Sequence, residues 1–476
     1  MRSDFIAALT SIAISQLISV PALSLELTND CDNAQLGLHH KLLNELVEST
    51  IISNPTIRSE KLLFEESKKK YDAMISTLFP SLSFSAQPEQ NVSESGSQTT
   101  YNEGSGYTKS NYSYKYNEAP NLSATVQLDI INLPKYSKIK HAWENQTAQQ
   151  YSYLNSRSNI ILSLVNRYLE FQGGSLVIDK QREVLDLIIS YTEKKKKLLE
   201  VGFDNLLDYN AQLSTYRSTQ ASYNYNVGKL KSVVEAIKKI SYIELDDKDK
   251  IPLPSPKCMT RLPTRNELAR EIEANYEPLA ILKYQSSAAS NLSNASKFKY
   301  LPSLAVGYQT TYYKNTGNLS GFSGHTGESY SNLVSSPYLL LEFDINLGGE
   351  EYNNSQAYKL QSKSLISKRE DQYNTAIENL DNNLTSLRIQ KENYQLYKST
   401  ERDSDYALKI SESAFDSGFV DNSIFLDTQN YLFNSIANAT LANIQAYKAY
   451  YSIMRMSGHF IDKLDELTVQ KSTTQN

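Results

Sequence analysis

One phrase is written twice in this chain, and the rest of the pattern follows it both times. LFPSLSFSA spans residues 78–86 and YLPSLAVGY spans 300–308. Each is preceded by a helical segment with an Asn and a Pro, SNPTIR (53–58) and NYEPLAIL (275–282). After each come a polar loop, a second alternating segment (LDIINL, 128–133; FDINLG, 343–348) and a long helical stretch. The long stretches end at VGFD (201–204) and SGFVD (417–421), and shorter helices begin near YNAQL (209–213) and LDTQN (426–430). Ordered agreement along a whole chain is what a tandem duplication produces. The expected division is 25–256 and 257–458, with a leader at 1–24 and a polar tail at 459–476. A chain of 476 residues would otherwise suggest about three domains.

The segments after the prolines have the period of strands. Leu82, Phe84 and Ala86 alternate with Ser81, Ser83, Ser85 and Gln87, and Ala124, Val126, Leu128 and Ile130 with Thr125, Gln127 and Asp129. Leu304, Val306, Tyr308 and Tyr312 alternate with Gly307, Gln309 and Thr311. Leu339, Leu341, Phe343 and Ile345 alternate with Leu340, Glu342 and Asp344. The expected strands are 81–90, 121–131, 302–314 and 337–347. Each is near the ~10 residues that cross a bilayer as β. The intervening stretches 91–119 and 315–336, rich in Ser, Asn, Gly and Tyr, read as external loops. Pro80 and Pro302 mark the points where helix becomes strand.

Between these segments the chain is built for long helices. No proline occurs from 135 to 251 or after Pro337. Ile161, Leu164, Tyr168 and Phe171 step by three and four, Gly173-Gly174 interrupts, and Val177, Val184, Ile188 and Tyr191 resume. Tyr373, Ile377, Leu380, Leu384 and Leu387 do the same in the second half. This is a coiled-coil seam. Helices are expected at 134–200, 206–240, 350–416 and 423–457, plus a short one at 54–77. A helix over 134–200 is about 100 Å long, so the molecule is a rod.

Arg2, the apolar run FIAALTSIAISQLISV and the small residues ALS at 22–24 read as an export signal. Later in the chain no run of ~18 apolar residues appears, so any membrane crossing must be by β. Four strands cannot close a barrel, since single-chain barrels start at about eight. Open edges in lipid leave backbone groups unsatisfied at several kcal/mol each. Three copies supply twelve strands, so the expectation is a trimer. A formal charge of −5 excludes a whole-protein case for nucleic acid. Two cysteines without a CxxC pair and five scattered histidines give no metal-ligand spacing. There is no Gly-rich phosphate loop and no nucleophile elbow, so neither an enzyme nor a cofactor is expected. Cys31 and Cys258 precede the first helix of their halves, and an oxidising compartment would allow a disulfide.

SNPTIR, the paired Pro-Ser-Leu phrases, FDINLGG, the glycines before the returning helices and LDTQ resemble, in order, the landmarks of the TolC family of outer-membrane efflux and secretion ducts. LDIINLPKY departs from the family's Phe-Asp pattern. The resemblance implies a mostly helical fold with membrane β: a trimeric twelve-strand outer-membrane barrel, four strands per chain, continued by an α-helical coiled-coil barrel in the periplasm. Short helices would stack end to end beside long ones, and segment 241–263 would form a belt around the tunnel. It implies a passive duct of a tripartite export system, for small molecules or, by type I secretion, proteins. Its partners would be a periplasmic adaptor, an inner-membrane pump or ABC transporter, and outer-membrane lipid. The alternative is a non-conducting barrel that anchors a periplasmic scaffold.

Gly202 and Gly418 stand where a long seam stops and a short one starts, and are expected as the tip turns. Lys194, Lys195, Lys196 and Lys197 lie within two helical turns of the first tip. They are either a solvated face or a docking patch for the adaptor. The family rings its constriction with acidic side chains just past these turns, which implies Asp208 and Asp427 here. A further family position is Ile424 in this chain, and Asp421 is the nearest carboxylate to take its place. The competing reading of Asp427 is a carboxylate that caps or solvates a helix start.

Overall fold

In the computed structural model the described residues are 33–87, 92–118, 121–203, 205–259, 261–320, 330–343, 347–416, 422–458 and 460. The expected leader 1–24, Cys31, Gly418, Asp421 and the tail beyond 460 lie outside them. Chain order is α1 (Asn33–Ser53), α2 (Pro55–Ser76), β1 (Ser81–Gln87), β2 (Val92–Asn102), β3 (Gly106–Glu118), β4 (Asn121–Ile131), α3 (Leu133–Glu200) and α4 (Leu206–Ser241). Then come α5 (Arg265–Asn275), α6 (Glu277–Phe298), β5 (Ser303–Ser320), β6 (Tyr330–Glu342), α7 (Glu350–Asp416) and α8 (Asn422–Met456). The chain is mostly helical. No described helix is long and apolar enough to cross a membrane.

The helices form one layer. α3 packs against α2 and α4 and also against α6 and α8, and α7 packs against α6 and α8. Gln149 and Ser152 of α3 meet Glu60 of α2, whereas Thr192 of α3 meets Gln212 of α4, so the two short helices occupy opposite ends of the long one. On the other side Ala288 of α6 meets His141, and Phe425 of α8 meets Tyr191. Asn54 starts α2 by accepting from the backbone N–H groups of Thr56 and Ile57, with Pro55 at the first position, where a missing N–H costs nothing. Thr264 and Glu267 form a capping box at the start of α5. The core gathers at mid-height, where Ile161, Leu164, Tyr168, Ile237, Leu268, Ile272, Leu380 and Ile453 are fully buried. Burial holds the Tyr168, Tyr447 and Tyr451 hydroxyls well above the ordinary phenol range.

The sheet is antiparallel, with β1, β4, β5 and β6 side by side. Its register aligns the apolar residues of all four. Leu82 lies opposite Val126, Val126 opposite Tyr308, and Tyr308 opposite Pro337. Ala86, Leu122, Tyr312 and Leu333 make the next such row, and Leu304 pairs with Leu341 at the helix end. This face is exposed: Phe84 is 77% accessible, Leu339 69% and Leu82 59%. From Leu304 to Tyr312 the band measures about 27 Å along the strand, or about 21 Å in height at a ~40° tilt, close to the ~25 Å of a membrane barrel. On the other face the Tyr338 ring lies across Gly307, where a Cβ would come within 2.3 Å of it, and its hydroxyl donates to Gln127 Oε1 at 3.2 Å.

The structure corrects two expectations. Residues 91–119 are not a loop: β2 and β3 pair from Val92–Tyr116 to Asn102–Gly106 and turn at Gly104 and Gly106, both at positive φ. β5 likewise runs to Ser320, and β6 starts at Tyr330. Backbone pairing carries these strands past the point where apolar alternation stops. Second, a bulge between Asp129 and Ile131 sets Ile131, rather than Ile130, opposite Leu304. Gly173-Gly174, where the seam pauses, lies within a helix continuous over 68 residues, as expected for 134–200. The pair lies where neighbouring helices come closest. A Cβ on Gly173 would sit 2.4 Å from Ile444 Cδ1, and one on Gly174 3.2 Å from Leu230 Cδ1.

Candidate functional site: the helix tips and the belt

The end of α3 is a complete Schellman turn. Phe203 N–H donates to Leu198 O at 2.9 Å and Gly202 N–H to Leu199 O at 3.1 Å, with Gly202 at φ +80°. A side chain at Gly202 would be strained by that φ although nothing crowds it. Lys194, Lys196 and Lys197 are exposed just above this turn and Lys195 is half-buried. Lys194 Nζ lies 5.9 Å from the centroid of the Tyr191 ring. Tyr191 in turn meets the buried Phe425 ring of α8 at 5.0 Å, edge to face. That contact sets the start of α8 beside the end of α3.

The two acidic candidates differ in what they do. Asp208 is in the first turn of α4 and is tied to its cap: Asn205 Oδ1 accepts from Asp208 N–H at 2.8 Å, and Asn205 Nδ2 donates to Asp208 Oδ2 at 2.7 Å. Asp427 is past the first turn of α8, exposed, and its carboxylate makes no hydrogen bond or ion pair to another described residue. It belongs to an open stripe spaced by three and four: Ile424, Asp427, Tyr431, Asn434, Asn438 and Leu441. Asp427 is the one charged member of this stripe among the described residues. Ile424, three residues before Asp427 in this stripe, is 53% exposed.

Pro80 and Pro302 immediately precede β1 and β5. The helix-to-strand return at β4 and α3 is closed by polar groups. Lys135 Nζ lies 2.6 Å from Asp129 Oδ2 and donates to Thr77 O at 2.9 Å, while Asn132 caps α3 through Lys135 N–H. Segment 241–263, the expected belt, contains two short 3-10 turns, Asp247–Asp249 and Pro256–Cys258. It is fastened by amides that the apolar seam gave no reason to single out. Buried Gln172 donates to Asp249 O at 2.8 Å and accepts from Ile251 N–H at 2.6 Å. Asn443 donates to Pro254 O at 3.0 Å. Lys448 bridges α8 to Glu170 of α3 at 2.6 Å. Burial pushes the Glu170 carboxyl up, but Lys448 and Arg167 outweigh it and hold the group below its ordinary range. The signal for these residues was a polar side chain within an apolar seam, as at Gln172 beside Phe171. Among the described residues no cluster of His, Cys, Asp and Glu is fit to hold a metal.

Residues 268–459 match the outer membrane efflux protein family. The CmeC outer membrane channel of Campylobacter jejuni shares the fold at TM-score 0.67 and 14% identity, over 94% of each chain. VceC, an outer membrane protein of Vibrio cholerae, does so at 0.66 and 12%, over 89% of this chain and 98% of its own. The MtrE outer membrane channel of Neisseria gonorrhoeae, solved in an open state, gives 0.64 and 14%, over 88% and 89%. No curated protein sequence matches the chain. Thus residues 268–459 carry an outer membrane efflux protein domain, and the chain as a whole has the fold of the TolC-like outer-membrane channels.

Proposed function

We propose that three copies of this chain form an outer-membrane exit duct, through which an inner-membrane transporter and a periplasmic adaptor export substrate. The observation that carries this reading is the helix-proximal part of the six-stranded sheet, where β1, β4, β5 and β6 lie side by side. β1 pairs only with β4, and β6 only with β5, among the described residues, so both edges are open. The exposed apolar face suits lipid, but open edges there leave backbone groups unsatisfied, and three such four-strand sets joined edge to edge make a closed twelve-strand barrel. The helical layer has two free sides as well, α7 on one and α2 with α4 on the other. The same threefold arrangement would close it into a tunnel. The two halves, with the same order of short helices, strands, long helix and returning helix, fit a duplicated unit. The efflux domain and the channel folds favour a conduit over catalysis. The test is conductance of the purified protein in a planar bilayer, with native mass measured on the same sample. Trimers that open discrete channels are expected. Trimers without conductance would leave the scaffold reading, and monomers carrying a complete barrel would overturn the assembly.

Asp427 is assigned to the throat of this duct and lysines 194–197, all but Lys195 exposed, to the docking of the adaptor. Both rest on position at the helix tips. For the lysines the check is a K194A/K195A/K196A/K197A variant, with a photo-crosslinker at Phe203, which is 84% exposed beside the turn. Crosslinking to the adaptor should fall several-fold, and an unchanged yield would remove the patch from the interface.

A further inference from the structure

The β2–β3 ribbon outruns the membrane band. β5 accompanies β3 only from Glu118 to Ser113, so from Gly96–Tyr112 to Asn102–Gly106 the two strands pair, among the described residues, only with each other. That free length is about 20 Å. The ribbon lies at the end of the sheet opposite the helices, hence on the outer side if the helices occupy the periplasm. It ends in two exposed tyrosines directly opposite each other, Tyr101 at 62% and Tyr107 at 78% exposure, with ring centroids 5.0 Å apart. A two-stranded ribbon in water is marginal unless something covers it. Between residues 97 and 109 its charges are one Glu and one Lys, Glu103 and Lys109, so like copies do not repel.

We infer that the ribbons of three copies lean together over the outer mouth of the barrel and close it, each covering the tyrosine tip of the next. This rests on the trimeric duct proposed above. Twelve strands ~4.8 Å apart at ~40° tilt make a ring of about 12 Å radius. A ribbon of about 20 Å standing on that ring reaches the threefold axis, so each ribbon has two others within range. Second copies are favoured over an external ligand because threefold symmetry brings three identical ribbon ends of no net charge to one point, each offering Glu103 and Lys109 for pairing with its neighbours. The duct then has a closure at each end, and the outer one belongs to segments that the apolar band does not require.

The experiment uses the full chain with C31S and C258S, oxidised as purified trimers. Y101C should give disulfide-linked copies on a non-reducing gel. S83C, on the polar face within the barrel wall, should not, because its counterparts lie about 20 Å apart across a 12 Å ring. Removing residues 98–110 and joining Ser97 to Asn111 through Asn-Gly keeps a two-residue hairpin. It should raise conductance about twofold or more and admit larger polymers from the outer side. Native-mass trimers in which Y101C stays unlinked and the shortened ribbon conducts like the parent overturn the outer closure and leave the duct standing. Monomers in native mass overturn the duct itself.

Discussion

Alanine at Asp427 is expected to weaken block of the channel by a trivalent cation at least tenfold, about 1.4 kcal/mol. In the trimer three Asp427 carboxylates would face one axis. Around a narrow throat their fields add, favouring cations and multivalent ones most. The rest of the exposed stripe on α8 is Ile, Tyr, Asn and Leu, which cannot replace that charge. D208A is the internal control. The Asp208 carboxylate is held by Asn205 Nδ2 at 2.7 Å and serves the start of α4, so its loss should disturb the turn more than the current. Single-channel recordings of both variants, with and without the trivalent ion, separate the two. Equal block of parent and D427A would move the throat elsewhere. Weaker block in D208A alone would move the ring to the first turn of α4.

G173V is expected to destabilise the helical layer by about 1–3 kcal/mol, the range for overpacking a filled contact. The added β-carbon would fall 2.4 Å from Ile444 Cδ1 and 3.0 Å from Thr440 Cγ2, closer than packed carbons stand. Helix propensity does not explain such a loss, because valine is no worse than glycine in a helix interior. I444A removes the obstructing atoms and should restore part of the stability lost in G173V. The coupling of the two substitutions should reach about 0.5–3 kcal/mol. Urea melts of the detergent-purified protein, followed by circular dichroism, measure the cycle. Additive effects would show that α3 and α8 do not meet through this glycine. G173A is the milder variant, since the end of the Ile444 side chain has room to rotate and alanine gains propensity over glycine.

These two positions also mark where the sequence was readable. Long helices declare themselves through a three-four seam without proline, and a half-exposed sheet does so through strict alternation. Both signals come from one face being apolar. The Ser-, Thr- and Tyr-rich strands from Val92 to Glu118 have polar residues on both faces, so period carried nothing there and only backbone pairing defines them. Gly173-Gly174 read only as a gap in the apolar seam of the expected helix 134–200. Its partner, Ile444, is 271 residues away on α8, and no local pattern points to it. At the tips, Gly202 was legible from the change of seam. The role of Asp208 was legible only in part: Asn205 three residues before a carboxylate is a capping signature, but spacing alone does not separate a cap from a throat charge. The amides that fasten the belt were hidden because a glutamine in an apolar seam is silent about its acceptor.

The manner of that fastening has an evolutionary consequence. Gln172 and Asn443 grip the main chain at Asp249, Ile251 and Pro254, not the side chains there. Any residue supplies the carbonyl groups, and any residue but proline supplies the N–H at 251. These two attachments therefore tolerate substitution at 249, 251 and 254, proline at 251 excepted. Divergence of the segment is limited instead by Leu245 and Leu253, which pack on the core, and by Lys250, which pairs with Asp179.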